Sequence, residues 1–89
     1  MTKLSILMPV HNESRTLRTI IGRVLNIEAP GEIEVICVDD GSTDGSWEVL
    51  EEASRADSRV ISLQHSTNLG NGAALRTAIG QMTGSVAVI

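Results

Sequence analysis

The sequence predicts an α/β fold built on a doubly wound, mainly parallel sheet. Short apolar runs alternate with segments of helical spacing along all 89 residues. The first two runs, Leu4 to Val10 and Ile33 to Val38, are apolar on both faces, as strands covered by helices on both sides must be. A helical segment separates each strand from the next, and right-handed crossovers then favour the strand order 3-2-1-4.

The first strand, Leu4 to Val10, is a short apolar run closed by Pro9. Asn12 is placed to cap the helix that follows, in which Leu17, Ile20, Ile21, Val24 and Leu25 repeat at helical spacing. Pro30-Gly31 ends that unit, and the β-branched run Ile33 to Val38 forms the second strand. Asp44 or Ser46 can cap the second helix, where Trp47, Leu50 and Ala53 or Ser54 share a face. Val60 to Leu63 is the third strand. After the Gly70-Asn71-Gly72 turn, Leu75, Ala78, Ile79 and Met82 mark a third helix. Gly84 is expected to stop it, and Val86 to Ile89 begins a fourth strand. In this strand order the crevice opens between the ends of strands one and four, with Pro9 to Glu13 as one wall. The fourth strand leaves an open edge through which copies of the chain can pair. We expect the chain to be the N-terminal part of a larger domain.

Composition removes several classes of function. The length allows one domain. A net charge of −4, with seven scattered basic residues, argues against a nucleic-acid surface. Trp47 is the only aromatic, so there is no platform for stacking bases. No run approaches the ~18 apolar residues of a membrane span. The run after Lys3 is too short for a signal peptide, and the expected location is cytoplasmic. The lone Cys37, inside a strand, is expected to be a buried apolar residue in a reducing compartment.

The chemistry concentrates in Val38-Asp39-Asp40-Gly41-Ser42-Thr43-Asp44-Gly45. Paired acids where a parallel strand ends can accept hydrogen bonds from a base or from ribose hydroxyls. The plain alternative is a turn acid plus a helix cap, which Asp44 fits. The run from Asp40 to Glu51 also satisfies calcium-loop spacing, but a strand precedes it where a helix is needed. A phosphoacceptor receiver domain would need another Asp at a later strand end, where Gln64-His65 stands. Gly70-x-Gly72 opens a helix and can bring backbone N–H groups to a phosphate, although it lacks the dinucleotide fingerprint. Its other reading is a tight turn of small residues packing a helix on the sheet. Arg76, one turn into that helix, is either a phosphate or base contact or a solvated surface Arg. Asn12 reads as a cap and Glu13 stays ambiguous. His11 and His65 read as satisfied loop histidines, and no group has metal-ligand spacing.

Three blocks in series give a resemblance. Ser5-Ile-Leu-Met-Pro9-Val-His-Asn12-Glu13, Val38-Asp39-Asp40-Gly41-Ser42-Thr43-Asp44-Gly45-Ser46 and Asn68-Leu-Gly70-Asn-Gly72-Ala-Ala-Leu-Arg76 resemble, in order and spacing, the family 2 glycosyltransferases of the GT-A, Rossmann-like fold. The resemblance implies transfer of a sugar, of hexosyltransferase type, from a UDP- or GDP-sugar to an acceptor with inversion. It implies that Pro9, Val10 and Glu13 line the nucleotide pocket, that Asp39 contacts the base with Asp40 beside it, and that Arg76 contacts the nucleotide. With Asn12, Gly70 and Gly72 these form the expected nucleotide-sugar site. The third block is similar to that of enzymes acting on polyprenyl or dolichyl phosphates in cell-envelope glycan synthesis, although Asn71 stands where those carry Lys. Such an enzyme would work at the cytoplasmic face of a membrane. The family's Asp-x-Asp motif, which holds divalent Mn or Mg against the diphosphate, would follow Ile89. No catalytic or metal residue is therefore expected within residues 1–89, and the chain alone is expected to be inactive. The alternative is a non-catalytic nucleotide- or partner-binding α/β module.

Overall fold

The computed structural model describes residues 3–29 and 31–88. Pro30 and Ile89, placed above in a turn and in the fourth strand, lie outside them. The elements are β1 (Lys3–Val10), α1 (Leu17–Leu25), β2 (Glu32–Asp40), α2 (Ser46–Ala56), β3 (Val60–His65), α3 (Asn71–Ile79) and β4 (Ser85–Val88). All pairings are parallel and the strand order is β3-β2-β1-β4, the order expected from the sequence.

Alternation along the strands divides the core into two layers. Ile6, Met8 and Val10 of β1 and Ile33, Val35 and Cys37 of β2 face α1 and α2, which supply Leu17, Ile21, Val24, Val49 and Leu50. Leu7, Ile36 and Val38 face the other way, against Ala74 and Ala78 of α3. Small side chains on α3 let its backbone lie close to the sheet. Trp47 and Ala53 pack on the first layer with Leu50, so the expected face of α2 is the buried one. Cys37 is fully buried, and burial pushes its thiol up to about 12, which leaves it unreactive.

Three helix ends differ from expectation. The helix α1 starts at Leu17 with Thr16 as its N-cap residue, so Asn12 is not its cap. A turn fills the gap, with the Glu13 carbonyl accepting from the Thr16 and Leu17 amides at 3.1 and 2.9 Å. Gly45, with φ +93°, takes the N-cap position of α2. Asp44 still receives the Ser46 amide on Oδ1 at 3.0 Å, from one residue further out. The third helix stops at Ile79 before Gly80, so Gly84 does not end it and Met82 lies beyond it. Gly84 is small for another reason: a Cβ there would strike the Lys3 carbonyl.

A buried acid locks the end of the sheet remote from Asp39. Glu34 Oε2 accepts from Ser5 Oγ at 2.5 Å, from the Thr83 amide at 2.7 Å and from Thr83 Oγ1 at 3.0 Å. Burial alone would raise this carboxyl, but the hydroxyl and amide donors, with Lys3 nearby, hold it below the usual range. Glu34 thus joins β1 and β2 to the connection that delivers β4. Replacing Glu34 with Ala strands the Ser5 and Thr83 donors and should cost about 2 kcal/mol in urea denaturation. An unchanged midpoint would show that water satisfies those donors as well as the carboxylate does.

Candidate functional site

Parallel pairing brings the carboxyl ends of three strands side by side. Val10 lies opposite Asp39, Asp39 opposite Gln64, and Asp40 opposite His65. Both acids belong to β2 itself, because the strand runs on through Asp40 rather than ending at Val38. Successive strand residues point to opposite faces, so the acid pair is split. Asp39 faces the α1–α2 layer and Asp40 the α3 layer.

Asp40 is buried and saturated with donors. Its Oδ1 accepts from the Leu69 amide at 2.8 Å and lies 2.8 Å from His65 Nδ1, while Oδ2 accepts from the Gly70 amide at 2.7 Å. The Leu69 amide, followed by the His65 ring, holds this carboxyl below the usual carboxylate range. A carboxylate only accepts, so His65 donates from Nδ1–H, and Nε2 accepts the Thr77 hydroxyl at 2.8 Å in the neutral ring. Asp40 therefore stands beside the candidate ligand position as a brace, with its oxygens turned to the protein.

Asp39 is the opposite case. It is fully buried, its Oδ1 has one long contact from the Ser42 amide at 3.3 Å, and its Oδ2 has no hydrogen-bond partner among the described residues. A buried carboxylate oxygen without a donor is costly, and the cost is removed when a ligand N–H or O–H arrives. Ordinary turn chemistry leaves no such orphan.

The loops after β1 and β2 are laced together. Asn12 has φ +52°, its amide donates to Ser42 Oγ at 2.8 Å, and its Oδ1 accepts from the Thr43 amide at 2.9 Å. The Glu13 amide donates to Ser46 Oγ at 2.9 Å and the Ser14 amide to Asp44 Oδ2 at 3.1 Å. Asn12 thus fixes the second loop instead of capping a helix. Asp44, held low chiefly by the Ser46 hydroxyl, is taken up by these contacts and not by a calcium shell. Among the described residues no group of three His, Cys, Asp or Glu could hold a metal ion.

The third loop closes the rim. Gly41 has φ +73°, and a Cβ there would come within 2.5 Å of the Thr67 and Asn68 backbone, so only glycine admits this approach. Asn68 Nδ2 reaches His11 Nε2 at 3.1 Å. Gly70, with φ +97°, presents its amide to Asp40 rather than outward, while Gly72 is exposed in the first turn of α3. Arg76 is exposed and folds back along α3, its Nη1 lying 3.4 Å from where a Gly72 Cβ would be. Pairing of β1 with β4 ends at Leu7 among the described residues. Beyond it, Met8, Pro9, Val10, Glu13, Leu17 and Ile20 line a concavity of about 200 Å³.

The expected residues are thus placed along one rim, in unequal roles. Sequence reasoning missed Ser42, Ser46, Asn68 and Thr77 as rim supports, and took His65 for an ordinary loop histidine. Small polar residues flanking strand ends were the only available signal, and they occur in any turn.

Residues 5–89 match the family model described as glycosyl transferase family 2. Among solved structures, S. aureus TarS 1–349 in complex with UDP is similar at 27% identity and a TM-score of 0.86, over 99% of this chain and 27% of that one. A second structure of S. aureus TarS 1–349 gives 27% identity and a TM-score of 0.83, over 100% of this chain and 27% of that one. The mannosyltransferase PcManGT from Pyrobaculum calidifontis, in complex with GDP-Man and Mn2+, shares the fold at 23% identity and a TM-score of 0.82, over 91% of this chain and 24% of that one. The chain spans about a quarter of the length of these solved relatives.

Asp40 and Asp44 both titrate below their unfolded value of about 3.9. A depressed carboxyl contributes stability that is present above that value and lost as pH falls through the folded one. The urea midpoint should therefore be flat above about pH 5 and fall below about pH 4. Asp40→Asn should lower the neutral plateau and make the acid limb shallower. An acid limb of unaltered slope in that variant would remove Asp40 from the account.

Proposed function

The chain belongs to glycosyl transferase family 2, and we propose that it forms the nucleotide-binding part of an inverting glycosyltransferase that uses a UDP- or GDP-sugar. The single observation that supports this most is the orphan Oδ2 of Asp39. Uracil and guanine each offer a ring N–H that a carboxylate can accept. At a buried strand end such a bond is charge-assisted and strong.

On this reading the nucleotide lies across the ends of β1 and β2. Pro9 and Val10 give the base an apolar wall, and Glu13 stands at its outer side, where a carboxylate can accept from ribose hydroxyls. Asp39 holds the base edge. Arg76 carries a positive charge over the first turn of α3, beside Gly72, with no ion pair to it among the described residues. It would face the phosphates. Asn12, Asp40 and Gly70 keep the three loops in register around the ligand.

Among the described residues no group fits a divalent metal site. We place the Mn or Mg ion of the complete enzyme on an Asp-x-Asp motif following Ile89, and expect the 89-residue chain alone not to transfer sugar. A polyprenyl phosphate acceptor, with work at the cytoplasmic face of a membrane, is the finer proposal suggested by the third block. No helix among the described residues is long and apolar enough to cross a membrane. Pairing of copies through β4 is favoured by that strand having β1 as its single neighbour in the sheet among the described residues. A strict monomer by light scattering at high concentration would remove it.

Calorimetric titration with UDP and GDP, with and without manganese, tests the main reading. One nucleotide should bind, and Asp39→Ala should weaken it at least tenfold, about the effect of losing a hydrogen bond to a charged group. The preferred base would name the donor class. Absence of binding by a folded chain would favour the non-catalytic module in its partner-binding form.

A further inference from the structure

We propose that His65 and Thr77 are positioning residues of the nucleotide site, holding Asp40 so that its carboxylate fixes the Leu69 and Gly70 amides and the rim loop beside Asp39. This rests on the reading of the Asp39 end as the nucleotide site. The chain of contacts is continuous. Thr77 Oγ1 on α3 meets His65 Nε2 at 2.8 Å, and His65 Nδ1 meets Asp40 Oδ1 at 2.8 Å. Asp40 then receives the Leu69 and Gly70 amides at 2.8 and 2.7 Å. The loop so held carries Thr67 and Asn68, whose backbone touches Gly41, two residues beyond Asp39. It also carries the Asn68 side chain, which reaches His11 after β1.

Hydroxyl, imidazole and carboxylate in this order also have the arrangement of a nucleophilic triad. Two observations oppose that role. Thr77 lies within α3, where its hydroxyl is taken up by the His65 ring at 2.8 Å. The Asp40 carboxylate is also bound by two backbone amides that lie in the rim loop itself. The His65 side chain, 12% exposed, is enclosed between a strand end and a helix, where it transmits position rather than attacking a substrate.

Neither residue touches the ligand on this account, so the effect on binding must pass through the loop. At metal sites an outer partner that orients a ligating group changes affinity by about tenfold or more when removed; His65 acts further out, through Asp40 and the loop, so about tenfold is the upper bound here. The imidazole can be dissected by shape: the Asn side-chain amide nitrogen falls near Nδ1, and that of Gln near Nε2. His65→Asn keeps the donor to Asp40, whereas His65→Gln keeps only the Thr77 side.

Amide hydrogen exchange at Leu69 and Gly70, with UDP and GDP titration of the 89-residue chain, tests the proposal. His65→Ala and His65→Gln should speed exchange at both amides and weaken nucleotide binding by up to about tenfold. His65→Asn should restore both readouts toward wild type, and Thr77→Ser should match wild type where Thr77→Val does not. The proposal is overturned if folded His65→Gln and His65→Asn behave alike, or if Leu69 and Gly70 exchange is unmoved in His65→Gln. If His65→Ala does not fold, the Asn–Gln comparison still decides. A wild-type chain that binds neither nucleotide would defeat the site reading, and with it the role in binding. The exchange pattern would then show separately whether His65 braces the loop.

Discussion

The carboxylate of Asp40 is the interaction on which the rim of this molecule depends. It sits at the end of a central strand, buried, and accepts from a histidine on the neighbouring strand and from two backbone amides of the loop that leads into α3. The Gly70 amide also reaches Asn68 Oδ1 at 3.0 Å, whereas the Leu69 amide has the carboxylate as its one acceptor among the described residues. The arrangement sets where α3 begins, and α3 in turn packs Ala74 and Ala78 on Leu7, Ile36 and Val38. One ion thus links the geometry of the rim to the second core layer.

Asp39 and Asp40 are chemically identical and adjacent, yet their surroundings are opposite. The pleat sends them to different faces of β2. On the α3 side the loop amides and His65 satisfy every oxygen. On the other side Asp39 keeps an oxygen free in a buried position. The free oxygen is tolerated because the surrounding loops are held by contacts that do not involve it. Asn12, Ser42, Asp44 and Ser46 cross-link the first two loops, and Gly41 lets the third loop close against the second. A rigid frame around one unsatisfied acceptor is what preorganised recognition of a donor requires.

The same device recurs at the remote end of the sheet. Glu34 gathers a strand hydroxyl, a loop amide and a loop hydroxyl, and so fixes the approach of β4. Both acids are held below their usual range by donors, and both join segments far apart in sequence. Family membership and the solved relatives give this frame its context: a chain about a quarter of their length carries the sheet and three of its rim loops.

The sequence by itself determined the alternation of strands and helices, the strand order and the gathering of Pro9 to Glu13, Asp39, Asp40 and Gly70 at one edge. Those features follow from apolar periodicity and crossover handedness, which are local or topological and need no side-chain detail. Tertiary structure decided which of the two acids is saturated and which has an oxygen to offer. It moved Asn12 from helix cap to loop clamp, and it gave His65 and Thr77 their partners. The Asn12–Ser42 and Asp40–Gly70 bonds each span 30 residues. Their existence depends on strand register, pleat direction and loop path together. A polar residue near a strand end has many possible local partners, and only the assembled sheet selects the distant one.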